Sequence, residues 1–175
     1  AKRTIADGRG TAWEMEERSV VSERGRTYYW IEKCVCPERE NLVFLPGLTA
    51  DHRLFDGQIQ HFSGRHTVLT WDAPAHGKSR PYQDFSYGHL AEELQTILDR
   101  EEIGTAVLIG QSAGGFVAQS LLACAPERVK GLITIGTCPY GSRYYSPSDL
   151  FWLKQTRWMF RLFPDRLLRA SMARM

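Results

Sequence analysis

Short apolar runs alternate with polar, glycine-bearing loops along the chain, and their spacing predicts a layered α/β protein. Thr105 to Ile109 is short, largely β-branched and aliphatic, as a buried parallel strand requires; Asn41 to Leu45 reads as another apolar strand and Gly131 to Ile135 as a later one. His66 to Trp71 alternates and reads as a further strand. Ahead of these, Trp13 to Val21 and Tyr28 to Val35 predict an antiparallel pair joined by Ser22-Glu23-Arg24-Gly25-Arg26, with the glycine supplying the turn. Two segments change to helical spacing. From Tyr87 to Leu98, Leu90, Leu94, Ile97 and Leu98 share one face and the acids lie opposite; after Gly114, Phe116, Val117, Leu121 and Leu122 recur until Pro126 closes the segment. Residues 1–12 are polar and predict a flexible tail, and 13–140 a single α/β core.

The junction between the strand at Thr105 to Ile109 and the helix that follows carries the chemistry. Gly110-Gln111-Ser112-Ala113-Gly114 is G-x-S-x-G between a strand and a helix, the context in which that pattern forms a nucleophile elbow. A serine there sits in a strained backbone conformation that needs small neighbours, and its hydroxyl is lifted clear of the sheet beside unpaired helix N–H groups. Those N–H groups are partly positive and suit a developing oxyanion. A glycine-rich turn with an incidental serine is the plain alternative.

Two other loops fall in register with this one. Asn41 to Leu45 runs into Pro46-Gly47-Leu48, where the backbone can turn an N–H toward the elbow. His66 to Trp71 runs into Asp72-Ala73-Pro74-Ala75-His76-Gly77-Lys78-Ser79. With these three motifs over roughly residues 13 to 140, the chain resembles the α/β-hydrolase superfamily, in its serine-nucleophile, cap-bearing branch. The resemblance implies a mainly parallel sheet with helices on both faces and the serine above the carboxyl ends of the strands. Carried over by position, it makes Ser112 the nucleophile and the N–H groups of Leu48 and Ala113 the oxyanion hole, with Gly47, His52, Asp72, His76, Gln111, Cys138 and Trp152 supporting the pocket or its loops. Pro46-Gly47 departs from the His-Gly of many relatives, and Ala75 stands where the loop usually has glycine, at a backbone angle alanine must tolerate.

In this family the triad runs Ser, then Asp or Glu, then His. All five histidines of the chain, His52, His61, His66, His76 and His89, precede Ser112. His76 and Asp72 are expected to brace loops, and His61, His66 and His89 to lie at the surface or at element ends. No carboxylate follows directly in Gly136-Thr137-Cys138-Pro139-Tyr140, and Asp149, after Ser146-Pro147-Ser148, fits a helix cap. A family domain of about 250 to 300 residues implies that the C-terminal strands, with the acid and histidine, are missing from this chain. That leaves an open aliphatic sheet edge to be covered by a complementing C-terminal segment or a homo-oligomer.

Composition narrows the classes. The chain has 43% hydrophobic and 24% charged residues, which argues for a globular protein, and a net charge of +2 gives no reason to expect nucleic acid as a partner. There is neither an 18-residue apolar run for a transmembrane segment nor an apolar h-region near the start, so a cytoplasmic location is expected. Cys34, Cys36, Cys124 and Cys138 lack zinc spacing; reduced thiols, with Cys34 and Cys36 on one face of a strand and Cys138 packed inside, are expected, as are no metal and no cofactor.

Beyond Pro139 the chain turns aromatic and basic. Phe151, Trp152, Gln155, Trp158, Met159 and Leu162 fall at helical spacing, and by resemblance 141–175 would begin a helical cap over the serine, an ordinary amphipathic helix being the alternative. The expected activity is serine-dependent cleavage of an ester or related acyl compound with a small hydrophobic acyl or aryl portion. Carbon–carbon hydrolases, lactonases, acyltransferases and cofactor-free peroxidases share this front half. A noncatalytic ligand-binding or scaffold protein on the same fold is the alternative from another class.

Overall fold

The computed structural model describes residues 2–6, 12–36, 38–148 and 151. The strands are β1 (Lys2–Ala6), β2 (Ala12–Ser22), β3 (Gly25–Glu32), β4 (Asn41–Leu45), β5 (Thr67–Trp71), β6 (Ala106–Gln111) and β7 (Val129–Ile135). The helices are α1 (Asp56–Phe62), α2 (Tyr87–Arg100) and α3 (Ala113–Cys124). One seven-stranded sheet runs in the order β1-β2-β3-β5-β4-β6-β7. β1, β2, β3 and β5 pair antiparallel in turn, whereas β5, β4, β6 and β7 are all parallel. In the parallel block every loop leaving a strand toward a following helix emerges at the same, carboxyl end.

Helices cover both faces, and the side-chain alternation of the strands shows why. Val43 and Leu45 of β4, Leu69 and Trp71 of β5 and Leu108 of β6 face the side that packs on α2 and α3. Phe44, Val68 and Ile109, one residue out of step, face the opposite side with Phe55 and with Ile59 of α1. In α2 the side chain of Ser86 accepts the His89 N–H at 3.1 Å, and Leu90, Ala91, Leu94, Ile97 and Leu98 are buried. Helix α1 was not legible in the sequence, since in its seven residues only Ile59 is buried and no stripe develops.

Several expectations change. Lys2–Ala6, assigned to a loose tail, forms β1 and pairs with β2 from Lys2 opposite Glu16 to Ala6 opposite Ala12. β3 stops at Glu32, so Cys34 and Cys36 lie beyond the strand; the structure joins them in a disulfide where reduced thiols were expected. Just past β3, the Lys33 Nζ reaches Glu101, a fully buried carboxylate that also accepts from Tyr29 and Arg18. This cluster ties β2 and β3 to the end of α2. Cys124 and Cys138 are exposed and take no part in a disulfide, so Cys138 does not pack inside.

β7 is the outermost strand on its side of the described sheet. Its Ile133 and Ile135 are 51% and 46% exposed, an aliphatic edge without the cover that β4 and β6 enjoy. The chain divides into two compact units, Ala1–Cys138 and Pro139–Met175. Within the described part of the second, the Tyr145 hydroxyl donates to the Pro139 carbonyl at 3.4 Å and Arg143 lies over the Tyr144 ring. The proposed cap residues Trp152, Gln155, Trp158, Met159 and Leu162, and Asp149, lie outside the described residues.

Candidate functional site

Ser112 occupies the turn between β6 and α3 with φ 50° and ψ −116°, a conformation that non-glycine residues rarely adopt. The strain is held by the surroundings. The Ser112 N–H donates to the Ile135 carbonyl at 2.9 Å, and the Ser112 carbonyl accepts from the Gly115 N–H at 3.0 Å and the Thr137 hydroxyl at 2.9 Å. The side chain makes no capping bond to its own helix and is only half-buried. The hydroxyl is thus left at the carboxyl end of the parallel strands.

Close approach explains the glycines. A Cβ on Gly110 would come within 2.6 Å of the Gly114 carbonyl, and one on Gly114 within 2.8 Å of the Pro46 carbonyl. A Cβ on Gly47 would sit 3.1 Å from the Ser112 Cβ and 3.0 Å from the Gln111 carbonyl. The Pro46-Gly47-Leu48 loop is therefore pressed directly against the elbow, at Ser112 and at Gln111, the last residue of β6. Ala113, first in α3, has no intrahelical acceptor for its N–H, and Leu48, three residues past the end of β4, is half-exposed. Thr137 is the site residue that sequence reasoning missed; lying just past β7, it had no motif to announce it.

Asp72 anchors the neighbouring loop. It is almost fully buried and its carboxylate accepts from the His52 N–H at 3.0 Å, the His52 Nδ1 at 2.7 Å and the Lys78 N–H at 2.7 Å. Its carbonyl accepts from the Ser79 hydroxyl, and that oxygen in turn accepts from the Tyr28 N–H. Gly77, at φ 46°, must be glycine because a side chain would overlap the carboxylate. Ala75 adopts the left-handed region at φ 69°, where alanine is less at ease than the usual glycine. His76 holds the same loop through Nδ1 at 3.0 Å from the Pro74 carbonyl.

Among the described residues the hydrogen bonds of the histidines run to partners other than Ser112. The His52 ring stacks on Trp30 of β3 with centroids 3.5 Å apart. In the strand order β3 and β6 are three places apart, about 14 Å at the usual strand spacing, with β4 and β5 between them. His61 ends α1, the His66 Nδ1 accepts from the Glu40 N–H, and the His89 Nδ1 lies 2.7 Å from the Asp84 carbonyl. Asp51, His52 and Asp72 place ligand-type atoms within 4.8 Å of one another, but Asp51 is engaged by Arg53 and Asp72 by His52.

Burial opposes ionisation of Asp72, yet the hydrogen bonds from the His52 ring, the Lys78 N–H and the His52 N–H outweigh it and hold the carboxyl below its ordinary range. Glu101 is lowered in the same way, burial being overcome by Tyr29, Lys33 and Arg18. A carboxyl depressed in the folded state contributes stability that is fully present above the unfolded value, about 4, and is lost as pH falls through the folded one. The melting temperature should therefore hold between pH of about 7 and 5 and fall below about 4, and Asp72→Asn should remove part of that acid-induced drop.

Comparison with known proteins agrees with this geometry. Residues 40–174 match the family model described as alpha/beta hydrolase fold. The chain is 36% identical over 102 residues to the sn-1-specific diacylglycerol lipase ABHD11 of Danio rerio, covering 56% of this chain and 32% of that protein. It is 34% identical over 99 residues to a pimeloyl-(acyl-carrier protein) methyl ester esterase of Nitrosomonas europaea, covering 57% and 38%. An alpha/beta hydrolase structure from Novosphingobium aromaticivorans superposes with a TM-score of 0.62 at 26% identity, over 69% of this chain and 43% of that one. The matched part thus spans well under half the length of these relatives. With the family match extending over most of the chain, and a parallel block ending in a strained serine turn, the chain belongs to the α/β-hydrolase family.

Proposed function

We propose that this chain supplies the nucleophile and oxyanion hole of a serine hydrolase that cleaves an ester or related acyl compound through an acyl-enzyme. The observation that carries the reading is the backbone of Ser112, φ 50° and ψ −116°, maintained by three hydrogen bonds while its side chain is kept out of helix capping. Strain of this kind persists only where the surroundings impose it, and here it holds a hydroxyl beside the N-terminus of α3. The Ser112 oxygen attacks the acyl carbonyl, forming the new C–O bond and driving electrons onto the carbonyl oxygen. That oxyanion is received by the N–H groups of Ala113 and Leu48. As the tetrahedral intermediate collapses, the alcohol leaves with the proton taken from Ser112, and water later releases the acid.

The proposal assigns the proton carrier to none of the described histidines: the Nδ1 atoms of His52, His66, His76 and His89 are engaged by Asp72, Glu40, Pro74 and Asp84. Relatives whose names specify a diacylglycerol lipase and a methyl ester esterase support an acyl substrate, and its small hydrophobic acyl or aryl group is part of the proposal. Hydrolysis of aryl esters of graded acyl length by the intact native protein tests it. Activity that disappears in Ser112→Ala is expected; equal turnover by wild type and variant would reject the serine.

A further inference from the structure

The paired side chains of His52 and Asp72 have no part in the steps above, and their connections join the Gly47–His52 segment, which borders Ser112 at Gly47, to the Asp72–Ser79 loop. On one side, Asp72 takes the N–H and the ring Nδ1 of His52, in the segment that follows Pro46-Gly47-Leu48. On the other, it takes the Lys78 N–H, and its own carbonyl is tied through Ser79 to β3. The ring of His52 is clamped between this carboxylate and the face of Trp30. The His52 carbonyl also lies 3.5 Å from the Thr70 hydroxyl on β5. Five residues upstream, Gly47 is packed on Ser112 closely enough that one extra carbon would touch it. The segment from Gly47 to His52 is therefore pinned at both ends, and between the pins Thr49 takes φ 70° and the Ala50 N–H closes a turn onto the Gly47 carbonyl at 3.3 Å.

From this geometry we infer that His52 is a positioning residue: its ring hydrogen bond to Asp72 fixes the Gly47–His52 segment so that the Leu48 N–H stays aimed at the oxyanion. The inference rests on the serine-hydrolase reading and assigns a role to the imidazole within it. The ring needs two properties at once, a flat apolar face for Trp30 and an edge N–H for Asp72, and histidine combines them in one side chain. A loosened clamp leaves substrate binding intact and lets the donor drift when charge develops, which is a transition-state loss. Misplacement of such a donor by about 1 Å costs up to about 100-fold.

Two substitutions separate the parts. His52→Phe keeps a ring for Trp30 and removes the donor; His52→Asn removes the ring and keeps an N–H that can reach Asp72. With aryl esters and the intact native protein, His52→Phe is expected to lower kcat about 10- to 100-fold with KM within about twofold. His52→Asn should recover most of the loss. A wild-type kcat in His52→Phe, or equal losses in both variants in step with their melting temperatures, would overturn the positioning role. Ser112→Ala in the same assay isolates the underlying reading: if it hydrolyses as wild type does, the serine assignment fails and the positioning role fails with it.

Discussion

Ser112→Gly is expected to give a protein that is more stable and catalytically dead. At φ 50° and ψ −116° a serine carries strain of about 1 to 3 kcal/mol, which glycine does not feel. Part of that gain is offset by the greater freedom of glycine in the unfolded chain, about 0.5 to 1 kcal/mol, so the net stabilisation should be about 1 kcal/mol. The three hydrogen bonds at this residue use its backbone, and glycine keeps all of them. Ester hydrolysis should fall at least about 1,000-fold, since no other group in the turn can form the acyl bond. Denaturant unfolding beside turnover measurements checks both halves. A variant that is less stable than wild type would mean that Ser112 contributes to the fold through its side chain.

Gly114→Ala should be the most damaging single methyl among the described glycines. The new carbon would lie within 2.5 Å of the Leu45 carbonyl carbon and 2.8 Å of the Pro46 oxygen, both backbone atoms that cannot rotate away. Either α3 or the end of β4 must move, at a cost of about 3 kcal/mol or more. The same movement shifts the Pro46-Gly47-Leu48 loop, so turnover should fall along with stability. Gly57→Ala provides the internal comparison. Nothing lies within 4 Å of its added carbon, and on helix α1 alanine should be neutral or stabilising by about 0.5 to 1 kcal/mol. Urea unfolding of the two variants distinguishes close backbone approach from a general intolerance of substitution at glycine.

The parallel block was legible because buried strands and helices write themselves in apolar periodicity. Asn41–Leu45 was read to the residue, and Ala106–Gln111 and Tyr87–Arg100 within two residues at either end. Ser112 was legible for a different reason: a turn between two buried elements tolerates few residue types, and Gly110 and Gly114 are needed by contacts that a local motif already encodes. What escaped was nonlocal or short. β1 pairs through backbone, which polar residues do as well as apolar ones, so Lys2–Ala6 gave no pattern to read. The stacking of His52 on Trp30 and its bond to Asp72 join residues 22 and 20 positions apart in the chain, and no spacing within any one segment announces such a pair. Thr137 reaches the Ser112 carbonyl across 25 positions for the same reason.

The central claim is that Ser112 is an activated nucleophile, and covalent trapping tests it most directly. The intact native protein is treated with a fluorophosphonate, its mass is measured, and the modified peptide is sequenced. One adduct per chain, located on Ser112, abolished by prior unfolding and absent from Ser112→Ala, is the result expected. A folded native protein that stays unmodified under conditions that label a known serine hydrolase, or that is modified at another residue, would contradict the assignment.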